Sequence, residues 1–166
     1  MIRIRKIERE DLERLFTLDR LCFRPGIAYS RAELRDLLSN PACISVAAED
    51  TSSDIVGFAI AEFYVEAGKR IGHIVTIDVA PSARKQGIGQ ALMGALFDGL
   101  RSQQAILVRL EVAVDNPDAQ SFYSQQGFVK TRRIPGFYLG TVDALAMQKV
   151  LAPVNKALVG AESGGK

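Results

Sequence analysis

Residues 74–96 read IVTIDVAPSARKQGIGQALMGAL, and this stretch decides the fold. An apolar, β-branched run stops at Pro81, a polar turn with two glycines follows, and apolar residues then recur at helical spacing. The pattern predicts a strand, a tight loop and a helix that begins near Gly87 and runs to about Arg101. Residues 87–90 would then form the first turn of this helix.

The start of this predicted helix has the features of an anion-binding site. The first N–H groups of a helix have no partner within it, and the helix dipole adds partial positive charge there. Gly87 and Gly89 let a ligand approach the backbone closely, and Arg84 and Lys85 stand just before them. A bound polyphosphate is the simplest use of such a loop, and a glycine-rich turn without a ligand is the alternative.

Two common phosphate-binding motifs do not fit this loop. The dinucleotide fingerprint G-x-G-x-x-G needs a glycine where Leu92 stands, and a Walker A loop needs Gly-Lys followed by Ser or Thr, which the chain lacks. The pattern that remains, R-x-x-G-x-G after a strand ending in V-A-P, resembles the acyl-CoA pyrophosphate loop of the GNAT superfamily of N-acyltransferases.

The composition is that of an ordinary globular chain. It has 166 residues, 48% of them hydrophobic and 24% charged, with a net charge of +2 that is too small to argue for nucleic acid. No apolar run reaches membrane-spanning length. We expect one domain over residues 1–151, a disordered tail over residues 152–166, and a cytoplasmic monomer or homodimer without membrane or nucleic-acid partners. Cys22 and Cys43 suit buried apolar positions better than a disulfide or a metal site, and no metal is expected.

Periodicity predicts the element order β-α-α-β-β-β-α-β-α-β-β, which describes an α/β (α+β) mixed sheet with helices on both faces. Strands are expected at residues 1–7, 42–49, 55–66, 71–79, 106–112, 128–133 and 142–150, and helices at 8–23, from a Ser30–Glu33 capping box to before Pro41, at 87–101 and at 116–126. A loop at Pro135-Gly136 would join the last two strands. The order is also that of the GNAT fold, which implies a mostly antiparallel sheet of seven strands with about four helices.

A second motif strengthens the resemblance. Residues 110–128, LEVAVDNPDAQSFYSQQGF, look like the family's strand, asparagine, short helix ending in Phe-Tyr, and Gly-Phe. The two motifs together cover residues 71–150 in the correct order. On them the chain is identified as a member of the GNAT superfamily, which implies acetyl-CoA as cofactor and transfer of its acetyl group to a primary amine.

The resemblance implies roles for individual residues around the cofactor. The pantetheine arm would lie beside the fourth strand at Ile77, Asp78 and Val79, where a bulge opens the backbone and the Val79 amide polarises the thioester carbonyl. The pyrophosphate would be held by Arg84, Lys85, Gln86, Gly87, Ile88, Gly89 and Gln90. Asn116 would bind pantetheine from the opposite wall, and Tyr123 would also contact the cofactor.

The same resemblance implies two catalytic residues. Glu111 matches the general base, acting through water, of the ribosomal-protein N-terminal (RimI-type) acetyltransferases, and Tyr123 matches the general acid that protonates the departing thiolate. The residues themselves also allow a surface ion pair of Glu111 with Arg109 and a core position for Tyr123. His73, the single histidine, is expected to be a solvated residue at a strand end.

The acceptor is suggested by the last hairpin. Residues 132–147, RRIPGFYLGTVDALAM, resemble the corresponding hairpin of the RimI type, except that Phe137 replaces the first of two tyrosines and only Tyr138 keeps a hydroxyl. Tyr29 precedes Ser30 in the loop after the first helix, where that family usually has Trp. Tyr29 and Tyr138 would flank a peptide backbone, or they merely pack.

Acid–base chemistry favours an α-amine as the acceptor. At about pH 7.4 an α-amine of pKa about 7.8 is roughly 30% neutral, against about 0.1% for a lysine of pKa about 10.4. A single glutamate acting through water is therefore better matched to a protein or peptide N-terminus. A small-molecule amine (an amino acid, polyamine or antibiotic) and a non-catalytic acyl-CoA-binding module remain the alternatives.

Overall fold

Seven strands form one sheet in the order β1-β2-β3-β4-β5-β7-β6 in the structure, a computed structural model that describes residues 1–152. The strands are β1 Arg3–Lys6, β2 Cys43–Glu49, β3 Ile55–Glu66, β4 Lys69–Val79, β5 Leu107–Ala113, β6 Val129–Tyr138 and β7 Val142–Val150. The helices are α1 Leu12–Cys22, α2 Arg31–Ser39, α3 Ile88–Ser102 and α4 Pro117–Gln125. The predicted element order is confirmed. The predicted tail lies outside the described residues except for Ala152, and the domain bounds stay a prediction.

The two halves of the sheet meet at a short parallel contact. Strands β1 to β4 pair in antiparallel succession, and β5, β7 and β6 do the same. Between the halves, β4 pairs with β5 only where residues 71–73 lie beside residues 107–109. Beyond this contact the two strands separate, which leaves one edge of each without a neighbouring strand.

A bulge in β4 lies close to the point where the strands separate. Ile60 of β3 pairs with Thr76, whereas the next residue, Ala61, pairs with Ile74, so Val75 is the extra residue. A bulge of this kind bends the strand and turns backbone groups out of the ladder. The sequence placed this bulge at residues 77–79, whereas the register places it at Val75.

The helices cover the two faces of the sheet because each has one apolar stripe. On one face, α3 buries a row of side chains at helical spacing, and Tyr123 of α4 joins the same core. The α3 row consists of Ile88, Leu92, Met93, Leu96, Phe97 and Leu100. On the other face, Leu15 and Leu18 of α1 and Leu34 of α2 pack over Phe58 and Ile60 of β3.

Two sequence predictions about the elements were wrong. The helix expected over residues 8–23 begins with a separate 3₁₀ turn, Arg9–Asp11, because the Asp11 carboxylate accepts the Glu8 N–H and is held by Arg5. The loop expected at Pro135-Gly136 lies inside β6, in an irregular stretch between Ile134 and Tyr138. Proline is tolerated there because β6 is an edge strand.

Candidate active site

The backbone of β4 presents hydrogen-bonding groups to the opening between β4 and β5. Ala80 donates its N–H to Val56, so Val79 and its partner Gly57 form a pair whose own N–H and C=O groups point away from each other. Ile77 has the same orientation by alternation. Ile77 and Val79 therefore direct their amides into the opening, where β5 has moved away.

Asp78, which the sequence predicted beside the cofactor, is placed differently. By the same alternation its backbone groups bond to Phe58 of β3. Its side chain is buried and accepts a hydrogen bond from Thr76 Oγ1 at 2.6 Å. No polar group of Asp78 faces the opening, because strand geometry sends alternate residues to opposite sides.

The loop before α3 has the predicted shape. Gly87 caps the helix in the left-handed conformation with φ +81°, and Lys85 also has positive φ. The first backbone hydrogen bond of the helix runs from Ala91 to Gly87. Within residues 1–152, no backbone N–H of residues 84–90 has a hydrogen-bond partner, so these donors are free for an anionic ligand.

Side chains anchor this loop to the core and to β4, and they leave its outer surface cationic. Ile88 is buried in the core and anchors the first turn. A Cβ at Gly89 would lie 3.3 Å from the Phe122 ring, so the small residue permits close packing against α4. Arg84 donates Nε–H to the Val79 carbonyl at 3.1 Å, which ties the loop to the end of β4. The remaining predicted phosphate-binding side chains, those of Lys85, Gln86 and Gln90, are exposed.

The two predicted substrate tyrosines lie on either side of the opening. Tyr29 donates its hydroxyl to the carbonyl of the bulge residue Val75 at 3.3 Å, and Tyr138 donates to the Glu111 carbonyl at 3.2 Å. Burial raises the pKa of each phenol to about 12, so both stay protonated donors at neutral pH. The tyrosines thus satisfy carbonyls that the separated strands leave without ladder partners.

The loops that carry these tyrosines also touch each other. A Cβ on Gly26, in the loop between α1 and α2, would lie 2.8 Å from the Leu139 side chain in the turn after β6. From the same loop, Arg24 forms an ion pair with Asp115 at 3.2 Å, which joins it to the segment after β5. The acceptor loop, residues 23–30, therefore bridges both sides of the opening.

His73 lies between two carboxylates, contrary to the expected solvated position. Its Nε2 is 2.6 Å from Glu111 Oε2 and its Nδ1 is 3.2 Å from Glu62 Oε1. Burial alone would lower the His73 pKa, but the hydrogen bonds and charges of Glu111 and Glu62 outweigh it and raise the pKa. The alternative partner of Glu111 is also excluded, since Arg109 pairs with Glu66 at 2.8 Å.

Tyr123 is a buried aromatic residue. Its ring packs against Phe122 and Phe128 at centroid distances of 5.4 and 5.9 Å, so it occupies the core position that the sequence allowed. Burial, followed by the nearby Tyr138 and Asp78, raises the pKa of its phenol, which keeps the hydroxyl protonated. The hydroxyl therefore carries a proton, and its raised pKa makes it a weaker acid than a free phenol.

Asn116 has a structural role, and its contact with pantetheine stays a prediction. Its side-chain oxygen accepts the Ala119 N–H at 3.1 Å and caps α4, and Pro117 follows at the first helical position. Within the described residues 1–152 the amide nitrogen has no hydrogen-bond partner, which leaves two donors for a ligand.

Comparison with known proteins identifies the family. Residues 9–128 match the model of the Acetyltransferase (GNAT) family. The chain belongs to the GNAT acetyltransferase family. It is 32% identical over 112 residues to N-alpha-acetyltransferase 20 of Dictyostelium discoideum, an alignment that covers 67% of this chain and 64% of that protein.

Solved structures show the same GNAT fold. The ribosomal-protein-S18-alanine N-acetyltransferase of Escherichia coli superposes with a TM-score of 0.80 at 21% identity, over 94% of this chain and 97% of that one. Ard1 of Thermoplasma volcanium gives a TM-score of 0.80 at 27% identity, over 91% and 98%. The matched region spans about three fifths of the length of three of the curated relatives. The predicted family and fold are confirmed.

The site of this GNAT chain fits acetyl-CoA, the acyl donor of the family. The free N–H groups of residues 84–90 suit the pyrophosphate, and the Ile77 and Val79 amides line the path from that loop to Glu111. Gly87 leaves room at the loop, since nothing lies within 4 Å of a Cβ placed there. These polar groups require a ligand or water, and phosphate oxygens and pantetheine carbonyls are acceptors that suit them.

Sequence reasoning missed a pair of buried acids in this GNAT chain. Asp19 of α1 and Asp78 of β4 are 0% and 1% exposed and within hydrogen-bonding reach of each other. A signal was present, because Asp19 follows Leu15 and Leu18 on the apolar stripe of α1 and Asp78 interrupts an apolar strand. For His73 the signal was its place in β4, because strand alternation puts it on the face of the sheet opposite to its apolar neighbour Ile74.

Cys22 and Cys43 are free thiols, and burial raises the pKa of each to about 11. Among residues 1–152, no group of three or more His, Cys, Asp or Glu side chains is arranged to hold a metal ion. In the same part of the chain, no helix has the length and apolar character needed to cross a membrane.

Proposed function

We propose that this GNAT protein transfers the acetyl group of acetyl-CoA to the N-terminal α-amine of a protein or peptide. The observation that carries the proposal is the bridged opening between β4 and β5. Tyr29 and Tyr138 line its two sides, the acceptor loop spans it, and the His73–Glu111 pair lies where the strands separate. An extended chain end fits such an opening, with its amine directed at the thioester.

Each residue in the opening has a chemical task under this proposal. The Val79 amide donates to the thioester oxygen as negative charge develops there, which in measured cases is worth about 3–4 kcal/mol for one donor. Glu111, hydrogen-bonded to His73, receives the proton released by the attacking amine, directly or through one water. Tyr123 supplies a proton to the departing thiolate.

The pair of Glu111 and His73 suits an α-amine. A substantial share of α-amino groups is already neutral near pH 7, so the base must remove a proton only as the new amide forms. Lysine would first need to lose a proton held about 2.6 pKa units more tightly. The curated relatives point to the same chemistry, since several are named N-alpha-acetyltransferases.

A groove next to Glu111 offers space for residues of the acceptor beyond the first. It has a volume of about 340 Å³ and lies on the face of β5, β7 and β6. Its polar lining includes Arg109, Thr131, Arg132 and Gln148. Backbone amides of a peptide acceptor would find both donors and acceptors along it.

The experiment that tests the proposal measures thiol release from acetyl-CoA with two peptide pools. One pool has free N-termini and no lysine, and the other is N-terminally blocked and contains lysine. We expect release only with the first pool. In the variant Glu111→Gln release with that pool should fall about 100-fold or more, whereas Glu66→Gln, which alters an exposed partner of Arg109, should leave it near wild type.

The other outcomes point elsewhere. Release with the blocked, lysine-bearing pool alone would contradict the α-amine proposal. Silence with both pools, together with turnover of a small amine, would establish a small-molecule acetyltransferase. Acetyl-CoA binding without turnover of any amine would identify a non-catalytic acyl-CoA-binding protein.

A further inference from the structure

The two buried acids face each other across the contact between α1 and β4. Asp19 Oδ2 accepts the Tyr29 N–H at 2.6 Å, and Asp78 Oδ1 accepts the Thr76 hydroxyl at 2.6 Å. Among the described residues, the remaining oxygens, Asp19 Oδ1 and Asp78 Oδ2, are buried and have no donor. The two carboxyl groups are hydrogen-bonding neighbours of each other.

Electrostatics limits the charge that this pair can carry. Two ionised carboxylates in contact and out of water repel strongly, and an oxygen that only accepts cannot satisfy another acceptor. One proton between Asp19 Oδ1 and Asp78 Oδ2 removes both penalties, because one acid becomes a donor and the other stays a single, hydrogen-bonded carboxylate. Pairs of this kind hold one proton and titrate as a unit.

We propose that Asp19 and Asp78 share one proton and act as positioning residues that fasten the acceptor loop to β4. Through the Tyr29 N–H, Asp19 sets the backbone of the residue whose hydroxyl meets the Val75 bulge. Asp78 holds the strand segment between the two amides that face the cofactor cleft. The effect of the Asp19–Asp78 pair on acceptor binding rests on the proposed function, whereas the shared proton does not.

The surroundings of the pair favour retention of this proton. Burial is the largest influence on both carboxyl groups, and it raises the pKa of each. Glu33 adds a like charge near Asp19, and Arg84, the one cation that acts on the pair among the described residues, opposes these effects at Asp78 without outweighing them. The titratable and polar groups around the pair are Cys22 of α1, Tyr29 of the acceptor loop, Glu33 of α2, Thr76 of β4, Arg84 of the loop before α3, and Tyr123 of α4.

The sign of the pH effect follows from the raised pKa values. The folded protein binds a proton that the unfolded chain has released once the pH exceeds the ordinary carboxyl value near 4. The contribution of the pair to stability is therefore complete below that pH and is lost as the pH rises through the raised value. When the proton dissociates, the two buried carboxylates repel each other. This repulsion weakens the contact of α1 and Tyr29 with β4.

Asparagine substitutions test the shared proton. In Asp78→Asn the new amide group replaces the proton and donates permanently to Asp19, and Asp19→Asn does the reverse. We expect each single variant to fold with a Tm near wild type at neutral pH, and to lose the decline of Tm that the wild type shows as the pH rises. The double variant turns two amides toward each other and should have a lower Tm than either single variant. Asp36→Asn, at an exposed position of α2, should keep the wild-type slope.

The measurements are Tm against pH for the full chain and infrared absorption of a protonated buried carboxyl group. Wild type should show that carbonyl band at neutral pH and both single variants should lack it. For activity, the double variant should raise KM for the peptide severalfold with a smaller change in kcat. An unchanged Tm slope in Asp78→Asn, or no carbonyl band in wild type, would overturn the shared proton. An unchanged KM in a folded double variant would overturn the positioning role alone, and neither stability result depends on the proposed acceptor.

Discussion

At the level of single residues, the chemistry of the site depends on how protons are held. His73 contacts carboxylates through both ring nitrogens, so it is protonated over a wider pH range than a free imidazole. The stability that this raised pKa provides is complete below about pH 6.5 and is lost as the pH rises through the raised value. A proton delivered to Glu111 therefore enters a shared network.

Tyr123→Phe tests the proposed acid. The phenylalanine ring keeps the packing against Phe122 and Phe128, so we expect Tm and acetyl-CoA affinity to change little. Because the departing thiolate would lose its proton donor, kcat should fall by about 10²-fold or more, as is typical of a lost general acid. The measurement is steady-state turnover together with acetyl-CoA titration.

A matched control is available for this substitution. Tyr64→Phe makes the same chemical change on a partly exposed residue that is hydrogen-bonded to Arg109. It should leave kcat near wild type. Wild-type turnover in Tyr123→Phe would show that its hydroxyl takes no part in the reaction.

At the level of elements, the beginning of α3 is the feature that we propose binds the cofactor pyrophosphate. The loop needs positive φ at Lys85 and Gly87, a small residue at Gly89 under Phe122, and a buried anchor at Ile88. Together these hold residues 84–90 with their N–H groups outward. The helix dipole then adds partial positive charge near these N–H groups.

Two glycine substitutions, one at the N-cap of α3 and one in its interior, should change the stability of the protein in opposite directions. Gly87→Ala places a side chain at φ +81°, which costs about 1 kcal/mol or more, and we expect a lower Tm and weaker acetyl-CoA binding. Gly94→Ala, in the helix interior with open space at its Cβ, should raise stability by about 0.5–1 kcal/mol and leave binding unchanged. Thermal unfolding and acetyl-CoA titration check both variants. Equal binding by the two would contradict the assignment of this loop to the pyrophosphate.

At the level of the whole molecule, two groups of buried acids give stability opposite dependences on pH. Asp19 and Asp78 have raised pKa values, whereas the hydrogen bonds of Arg5 lower the pKa values of Asp11 and Glu49. Arg5 joins β1 to β2 through Glu49 and to the 3₁₀ turn through both oxygens of Asp11. Ionised carboxylates paired with Arg5 thus stabilise one end of the sheet, and a carboxyl pair that keeps one proton stabilises the region near the site.

Arg5→Met tests the end held by carboxylates. Without the guanidinium, Asp11 and Glu49 stay near each other with no buried cation, so Tm should fall by several degrees at neutral pH. The contribution from lowered pKa values is present above the ordinary carboxyl value near 4 and is lost as the pH falls. The difference from wild type should therefore shrink in acid, which Tm against pH will show.

Arg3→Met is the control, because Arg3 pairs with the same Glu49 from an exposed position. Such pairs contribute little, so its effect should be small at every pH. A constant Tm difference between Arg5→Met and wild type from neutral to acid pH would contradict the electrostatic explanation and indicate lost packing instead.

Much of the fold could be predicted from short-range patterns. The strand, loop and helix of residues 74–96, the Ser30–Glu33 capping box and the Asn116 cap depend on residues within a few positions of each other. The two wrong predictions have explanations that involve partners distant in the sequence. The helix predicted over residues 8–23 starts as a 3₁₀ turn because Arg5 of β1 holds Asp11. Pro135 lies within β6 because an edge strand, with only one neighbour, tolerates proline.

The sequence by itself determined the family, the element order and the residues of the loop before α3, because helix periodicity, turn chemistry and motif spacing act along the chain. Only the tertiary structure decided that His73 meets Glu111, that Asp19 meets Asp78 and that Tyr29 meets Val75. Those contacts follow from strand order, the three-residue parallel pairing of β4 with β5 and the bulge at Val75. Such register is set by packing of the whole sheet and its helices at once, and no local pattern encodes it.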